Sequence, residues 1–237
     1  MIALITPTGV RAKQIKLCSE FMKRQTYLGD VVWVIVDDGD PSTADFIPRE
    51  FKRNWQVVKI YPKDKWVPGM NTQSSNLLIG LDAVNKYKPE AIFIIEDDDY
   101  YAPDYLKTMT KLLKGNDLIG EQNTVYYNVI QHRWYPNRNT MHASLFQVGF
   151  VFELIPMFRK VCLERKGKFI DICFFREATR QNKKIYFTKA RLSIGIKGLP
   201  GRSGIGFGHR MNTSKMTDDT NMKKLKELIG EDYIYYV

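Results

Sequence analysis

"IFIIEDDDYYAPDYL", residues 92–106, sets four consecutive carboxylates, Glu96, Asp97, Asp98 and Asp99, at the end of an apolar run. Like charges crowded at the end of a buried element repel one another unless something opposes them. Two arrangements do so: a solvated turn, where water screens the repulsion, or a divalent cation held by hard oxygen ligands. The flanks favour the cation. "AIFII" (91–95) is wholly apolar and reads as a fully buried strand. Pro103 suits the first turn of a helix, "PDYLKTMTKLL", that Gly115 ends. A solvated turn seldom joins two such elements directly. Mg²⁺ or Mn²⁺ keeps several waters and completes its shell with substrate phosphates, so the stretch also points to a phosphorylated ligand.

Outward from this stretch the pattern repeats. "IALIT" (2–6), ended by Pro7, "VVWVIV" (31–36) and "WQVVKIY" (55–61) are further strand-like runs. Residues 11–27 place Ile15, Cys18, Phe21 and Met22 at helical spacing, and Gly29-Asp30 stops them. Residues 71–87 form a second helical pattern with an Asn or Thr cap and an apolar face at Leu77, Leu78, Leu81 and Val84. Strands alternating with helices predict an α/β fold, a Rossmann-like domain whose central, mostly parallel sheet is flanked by helices. Such sheets bind ligands beyond the carboxyl ends of their strands. Thr6-Pro7-Thr8, Asp37-Asp38 and Glu96–Asp99 all fall there, so distant positions converge on one edge.

The second half is less regular. "NDLIGEQNTVYYNVIQHRWYP" (116–136) predicts one or two strands, "FELIPMFRKVCLER" (152–165) a helix interrupted by Pro156, "FIDICFFREATRQNKK" (169–184) another helix, and "IYFTKARLSI" (185–194) a strand. "GIKGLPGRSGIGFGHR" (195–210) holds six glycines, with a spacing wrong for a dinucleotide fingerprint. It reads as a mobile lid over phosphates, with Arg202, His209 and Arg210 as contacts, or as a flexible tail. There is no internal repeat and no clear linker. One domain over 1–237 is expected, with a nucleotide-binding front half (1–100), an acceptor-binding back half (101–210) and a tail (211–237).

Composition narrows the partners. The net charge is +10, and the basic residues gather at Arg11–Arg24, Arg49–Lys65, Arg159–Arg191 and the tail. This is either a lysine-rich surface or the footprint of a polyanion, whether nucleic acid, an anionic membrane surface or phosphorylated small molecules. No apolar run reaches the roughly 18 residues of a membrane span, so no integral membrane association is expected. "MIALITPTGVR" lacks the basic start and long apolar stretch of a signal peptide. Cys18, Cys162 and Cys173 are odd in number and far apart, which fits a reducing cytoplasm. His132, His142 and His209 show no metal-ligand spacing with one another or with cysteine, so no zinc site is expected.

Through most of residues 1–190 the chain resembles the family-2-like glycosyltransferases of the GT-A fold. "ITPTGVR" (5–11) is similar to that family's opening strand and turn, and "VIVDDGDPSTADF" (34–46) to its second strand with Asp-Asp-Gly-Ser. "PGMNTQSSNLLIGLDAV" (68–84) resembles the stretch before its next helix, "IFIIEDDDYYAPDYL" its Asp-X-Asp metal motif, and "GKFIDICFFREATRQNKKIYF" (167–187) the segment carrying its catalytic acid. Five such motifs in the right order make the resemblance specific. It implies transfer of a sugar from a UDP-sugar donor, UDP-glucose among the candidates, with Mn²⁺ or Mg²⁺. Asp98, with Asp99 or Glu96, would hold the ion, and His209 is a further candidate contact. Counting back from Pro103 favours Asp98 over Asp97 as the main ligand and puts Glu96 at the motif's first position. Asp97 would face the ribose, and Asp37 or Asp38 the imide N–H of uracil. Thr6, Pro7, Thr8 and Arg11 would frame the base, with Asn76 and Arg202 as further donor contacts. Asp171 would be the general base of an inverting transfer. Its apolar neighbours Ile170, Ile172 and Phe174 are expected to raise its pKa; a helix N-cap is the alternative role.

Two other classes compete. A nucleotidyltransferase also uses paired carboxylates, but "TPTGVRAK" (6–13) is too poor in glycine for its phosphate signature. A nucleic-acid-binding module without transferase activity draws support from "HRWYPNR" (132–138). The acceptor is either a cell-surface glycan or, given the charge, a hydroxymethylated base in phage DNA, flipped onto aromatics such as Tyr100, Tyr101, Trp134 and Tyr135. Residues 159–191 hold eleven Lys or Arg against three acids, so a polyanion-binding face that includes Lys183 and Lys184 is expected beside Asp171.

Overall fold

The first strand runs Ile2–Thr8 (β1) with every residue buried, because both of its faces are covered. In the computed structural model, which describes residues 1–166, 168–202 and 215–237, it is followed by α1 (Ala12–Lys23), β2 (Val31–Asp37), β3 (Trp55–Ile60), α2 (Gln73–Asn85), β4 (Ala91–Ile94), β5 (Tyr100–Tyr101) and α3 (Tyr105–Leu113). The second half supplies β6 (Leu118–Glu121), β7 (Asn123–Asn128), β8 (Arg133–Arg138), β9 (Val148–Val151), α4 (Ile155–Arg165), α5 (Ile170–Arg180), β10 (Ile185–Thr188), β11 (Ser193–Lys197), β12 (Thr217–Asp218) and α6 (Lys223–Ile229).

Among the described residues seven strands form the central sheet in the order β10-β6-β9-β4-β1-β2-β3, with only β9 antiparallel to its neighbours. The expected α/β architecture is present. A second sheet, β12-β8-β7-β11-β5, stands beside it. Register decides where the polar ends fall. Thr8 pairs with Asp37 across β1 and β2, and Ile5 with Ile94 across β1 and β4, so the residues after β4 emerge on the same edge as Thr8 and Asp37.

Each face of the sheet carries its own apolar layer. One packs Ile15, Cys18, Phe21 and Met22 of α1 and Tyr105, Leu106 and Met109 of α3 against Leu4, Trp33 and Phe93. The other packs Leu77, Leu81 and Val84 of α2 with Phe158 of α4 and Phe174 of α5. There Phe150, Phe158 and Phe174 meet with ring centroids 4.8–5.2 Å apart, within the range favourable for aromatic pairs.

Several local expectations change. Pro156 lies in the first turn of α4 and starts the helix rather than interrupting it, since that turn needs no N–H from it. "IYFTKARLSI" is two strands, because the chain leaves the central sheet after Thr188 and joins the second at Ser193. Gly195, Ile196 and Lys197, read as the start of a glycine-rich lid, continue β11 and are buried. Thr72 occupies the N-cap position of α2 but makes no side-chain cap; Asn71 Oδ1 accepts from the Gln73 N–H instead. Residues 215–237, part of the expected tail, bury Leu225, Ile229 and Tyr236 in the core. Asp219 accepts from the N–H groups of Lys224 and Leu225 and from the Tyr127 hydroxyl, which fixes the start of α6.

Candidate active site at the carboxyl edge of the sheet

The carboxylates of residues 96–99 diverge, and each finds its own partner. The Arg11 guanidinium, in the turn between β1 and α1, bridges two of them: Nη1 lies 2.7 Å from Asp97 Oδ1 and Nη2 2.6 Å from Asp98 Oδ2. Thr8 donates its hydroxyl to Asp97 Oδ2 at 2.6 Å. Asp99 turns the other way, accepting from the Ile196 N–H at 2.9 Å and from Lys197 Nζ at 3.3 Å. Glu96 accepts from Gln73 Nε2 at 2.5 Å, at the start of α2.

Burial costs each charged group its hydration. It raises the Glu96 pKa to about 7, helped by the Asp98 charge, and that of Asp97 to about 6 against the pull of Arg11. Asp99 rises for the same reason although Lys197 opposes it. The cations respond in kind. Burial disfavours the charge on Arg11 and on Lys197, but the surrounding carboxylates outweigh it and both pKa values rise.

Asp37 and Asp38 have separate tasks. Asp37 organises its own loop, accepting from the N–H groups of Gly39, Thr43 and Ala44 and from the Ser42 hydroxyl. Asp38, fully buried, ties distant segments together. It accepts from Arg202 Nη1 at 2.8 Å, from Asn76 Nδ2 at 2.9 Å and from the Thr72 hydroxyl. Gly9 makes this approach possible, because a Cβ there would stand 2.0 Å from Asp38 Oδ1. Thr6 is turned into the core, accepting from Trp33 Nε1 at 2.9 Å, and Pro7 is buried within β1.

Asp171 lies in the first turn of α5, with Phe169 at the N-cap position. It accepts from the adjacent Ile172 N–H at 2.9 Å. Burial raises its pKa, and nearby His142 partly offsets this. Its charge acts on Glu96, so the far half of the chain brings a carboxylate to the cluster. His209 and Arg210 lie outside the described residues.

Sequence reasoning missed Lys197 and gave Arg11 a different task. Among the described residues five carboxylates, Asp38, Glu96, Asp97, Asp98 and Asp99, face three cations, Arg11, Lys197 and Arg202, an excess of two negative charges when all are ionised. Among the described residues no His, Cys, Asp or Glu cluster forms a ready-made metal cage. An ion that takes one or two carboxylates and completes its shell with substrate phosphates needs no cage. The donor set fits that kind of ion: hard oxygens in charge excess, with buried Asp99 Oδ2 accepting no hydrogen bond among the described residues.

Other expectations are corrected. Tyr100 is 5% and Tyr101 0% exposed, so neither can receive a flipped base. Trp134 is half-buried on β8 beneath Lys224. Lys184 adjoins the amino end of β10 and binds Asp117 through its N–H, on the sheet edge opposite Asp171. The basic run 159–191 is therefore not one face.

No family model and no curated protein matches the chain. Solved structures do. Residues 1–349 of S. aureus TarS in complex with UDP superpose with a TM-score of 0.60 at 14% identity, over 82% of this chain and 60% of that one. The same protein with UDP-GlcNAc gives 0.55 at 14%, over 86% and 59%. The mannosyltransferase PcManGT from Pyrobaculum calidifontis, with GDP-Man and Mn²⁺, gives 0.54 at 16%, over 84% and 57%. The chain has the fold of GT-A glycosyltransferases. It spans less than two thirds of the length of each, and no helix of its described residues is long and apolar enough to cross a membrane.

Proposed function

We propose that the chain is a metal-dependent glycosyltransferase that moves a sugar from a UDP-sugar to an acceptor hydroxyl. The observation that carries this is the convergence of Asp38, Glu96, Asp97, Asp98 and Asp99 on the carboxyl edge, two negative charges in excess of their cations among the described residues, with Asp171 near enough for its charge to act on Glu96. The similar structures bound to UDP, UDP-GlcNAc or GDP-Man support the class of donor.

Asp98, with Asp99 or Glu96 beside it, would hold Mn²⁺ or Mg²⁺. A bound ion there would neutralise the leaving diphosphate as a Lewis acid. Asp38 offers a carboxylate to the base, Thr8 and Arg11 hold Asp97 toward the nucleoside, and Asn76 braces Asp38. Asp171, with a raised pKa, takes the proton of the acceptor hydroxyl as it attacks, which makes the transfer inverting.

The test is incubation with a panel of UDP-sugars and with glycan and hydroxymethylated-DNA acceptors, with and without Mn²⁺, read by mass spectrometry. Release of UDP that depends on Mn²⁺, with a matching mass gain on one acceptor, is expected. Binding of DNA with no turnover of any donor would replace this reading with that of a nucleic-acid-binding module.

A further inference from the structure

Arg202 lies between the Trp66 ring and the Asp38 carboxylate. Its guanidinium carbon lies 4.8 Å from the centroid of the Trp66 ring, Nη1 donates to Asp38 Oδ1 at 2.8 Å, and Nη2 to the Thr72 hydroxyl at 2.7 Å. Trp66 is fixed in place: its backbone N–H donates to the Asp38 carbonyl and its indole N–H to the Met70 carbonyl. The slot is therefore bounded by an aromatic face on one side and a buried carboxylate at its end.

That chemistry selects a planar group with N–H donors on its edge. A guanidinium has both features, and so does a pyrimidine with an imide N–H. A buried carboxylate oxygen left without a donor is costly, so the slot favours an occupant that donates to Asp38, whether the arginine or a base. The segment before Arg202 is held to deliver one. Gln14 Nε2 donates to the Pro200 carbonyl at 2.7 Å, and Gly201 takes a φ of +104°, where a side chain would be strained, with its Cβ position 3.1 Å from the Val10 carbonyl oxygen.

We infer that Arg202 and the base of the donor compete for the slot between Trp66 and Asp38, so the protein occupies its own nucleotide site until a donor displaces the arginine. This rests on the donor reading above. It changes the role expected of Arg202 from a contact of the bound base to its competitor, and it assigns Trp66 as the stacking surface. Apparent affinity is lowered by the fraction of molecules in which the slot is filled, so removing the arginine raises affinity for the base.

Titration calorimetry with uridine, which has no phosphate for an arginine to reach, tests this on the wild type, Arg202→Ala and Arg202→Gln. The glutamine variant keeps a neutral donor for Asp38 should the alanine variant fold poorly. Uridine should bind the variants at least about threefold more tightly than the wild type. Guanidinium ion at low millimolar concentration should compete with uridine in Arg202→Ala. Equal or weaker uridine binding by both variants would overturn the competition while leaving the donor reading intact, since the wild type still binds. Failure of wild type and variants alike to bind uridine or UDP would overturn both.

Discussion

Arg11 Nη2 lies 2.6 Å from Asp98 Oδ2, and the same guanidinium reaches Asp97 through Nη1. The carboxylate proposed to hold the metal is thus already held by a cation of the protein, so the two cations should compete. Arg11→Met should lower the melting temperature, because removing one partner of a buried pair costs about 3–5 kcal/mol. Mn²⁺ should restore part of that loss and should bind at least about tenfold more tightly than to the wild type, by Coulomb's law at a few ångströms. Calorimetry and melting curves with and without Mn²⁺ read both effects. A variant indifferent to Mn²⁺ would show that these carboxylates do not bind it.

Asp98→Ala separates the ion from the fold. Arg11 keeps its contact with Asp97, so the variant should fold, yet lose at least about a hundredfold of donor turnover. Circular dichroism and UDP release in metal-controlled buffer decide it. Wild-type-like turnover by a folded variant would remove Asp98 from the metal site.

Asp171 must be ionised to accept a proton. Burial raises its pKa, so kcat/KM should rise with pH along a limb lying above the usual aspartate value near 4. Asp171→Asn should abolish that limb and lower kcat by about 10²–10⁴. A pH–rate profile unchanged in shape would show that Asp171 is a helix-terminal residue only.

The layout of this site was only partly legible in the sequence. The unbroken apolar runs of β1, β2 and β4 announce a parallel sheet, and a parallel sheet obliges Thr8, Asp37 and Glu96–Asp99 to share an edge. Lys197 was invisible because its partner is 98 residues away. The pairing of β11 with β7 and β5 that aims it at Asp99 is long-range, and a glycine-rich stretch hides a strand. Arg11 was legible as a residue near the site but not as a bridge, since only the turn after β1 sets its direction. Asp171 read as the base with a helix cap as the alternative, and the structure puts Phe169, not Asp171, at the cap position.

Glu121 lies outside the proposed chemistry and governs stability. It is fully buried and accepts from the Leu192 and Ser193 N–H groups and the Ser193 hydroxyl, and burial raises its pKa to about 7. The folded state therefore binds this proton more tightly than the unfolded state. The contribution is complete below about pH 4.5 and is lost as pH rises through 7, a change of about 3 kcal/mol. Glu121→Gln should flatten the stability profile between pH 4.5 and 7 in denaturant titrations. An identical slope in the variant would assign the dependence to other groups.

The basic residues of 159–191 divide between two edges. Arg165 ends α4, Lys166 and Lys168 lie between it and the start of α5, near Asp171 in the chain, and all three are exposed. Phe169 beside them is 68% exposed with a φ of +56°, a conformation non-glycine residues seldom adopt. Lys183 and Lys184 follow the far end of α5, an 11-residue helix and so about 16 Å long. A polyanionic acceptor that presents its hydroxyl to Asp171 must lie across the first group and not the second. Duplex-DNA affinity over a salt series, for Arg165→Glu/Lys166→Glu/Lys168→Glu and for Lys183→Glu/Lys184→Glu, separates them. The first variant should bind more weakly and flatten the plot of log affinity against log salt by about 2–3, close to one unit per lost phosphate contact. The second should leave the slope nearly unchanged. Equal effects from both would mean diffuse surface attraction with no seat beside Asp171, and no binding at low salt would return the acceptor to the glycans.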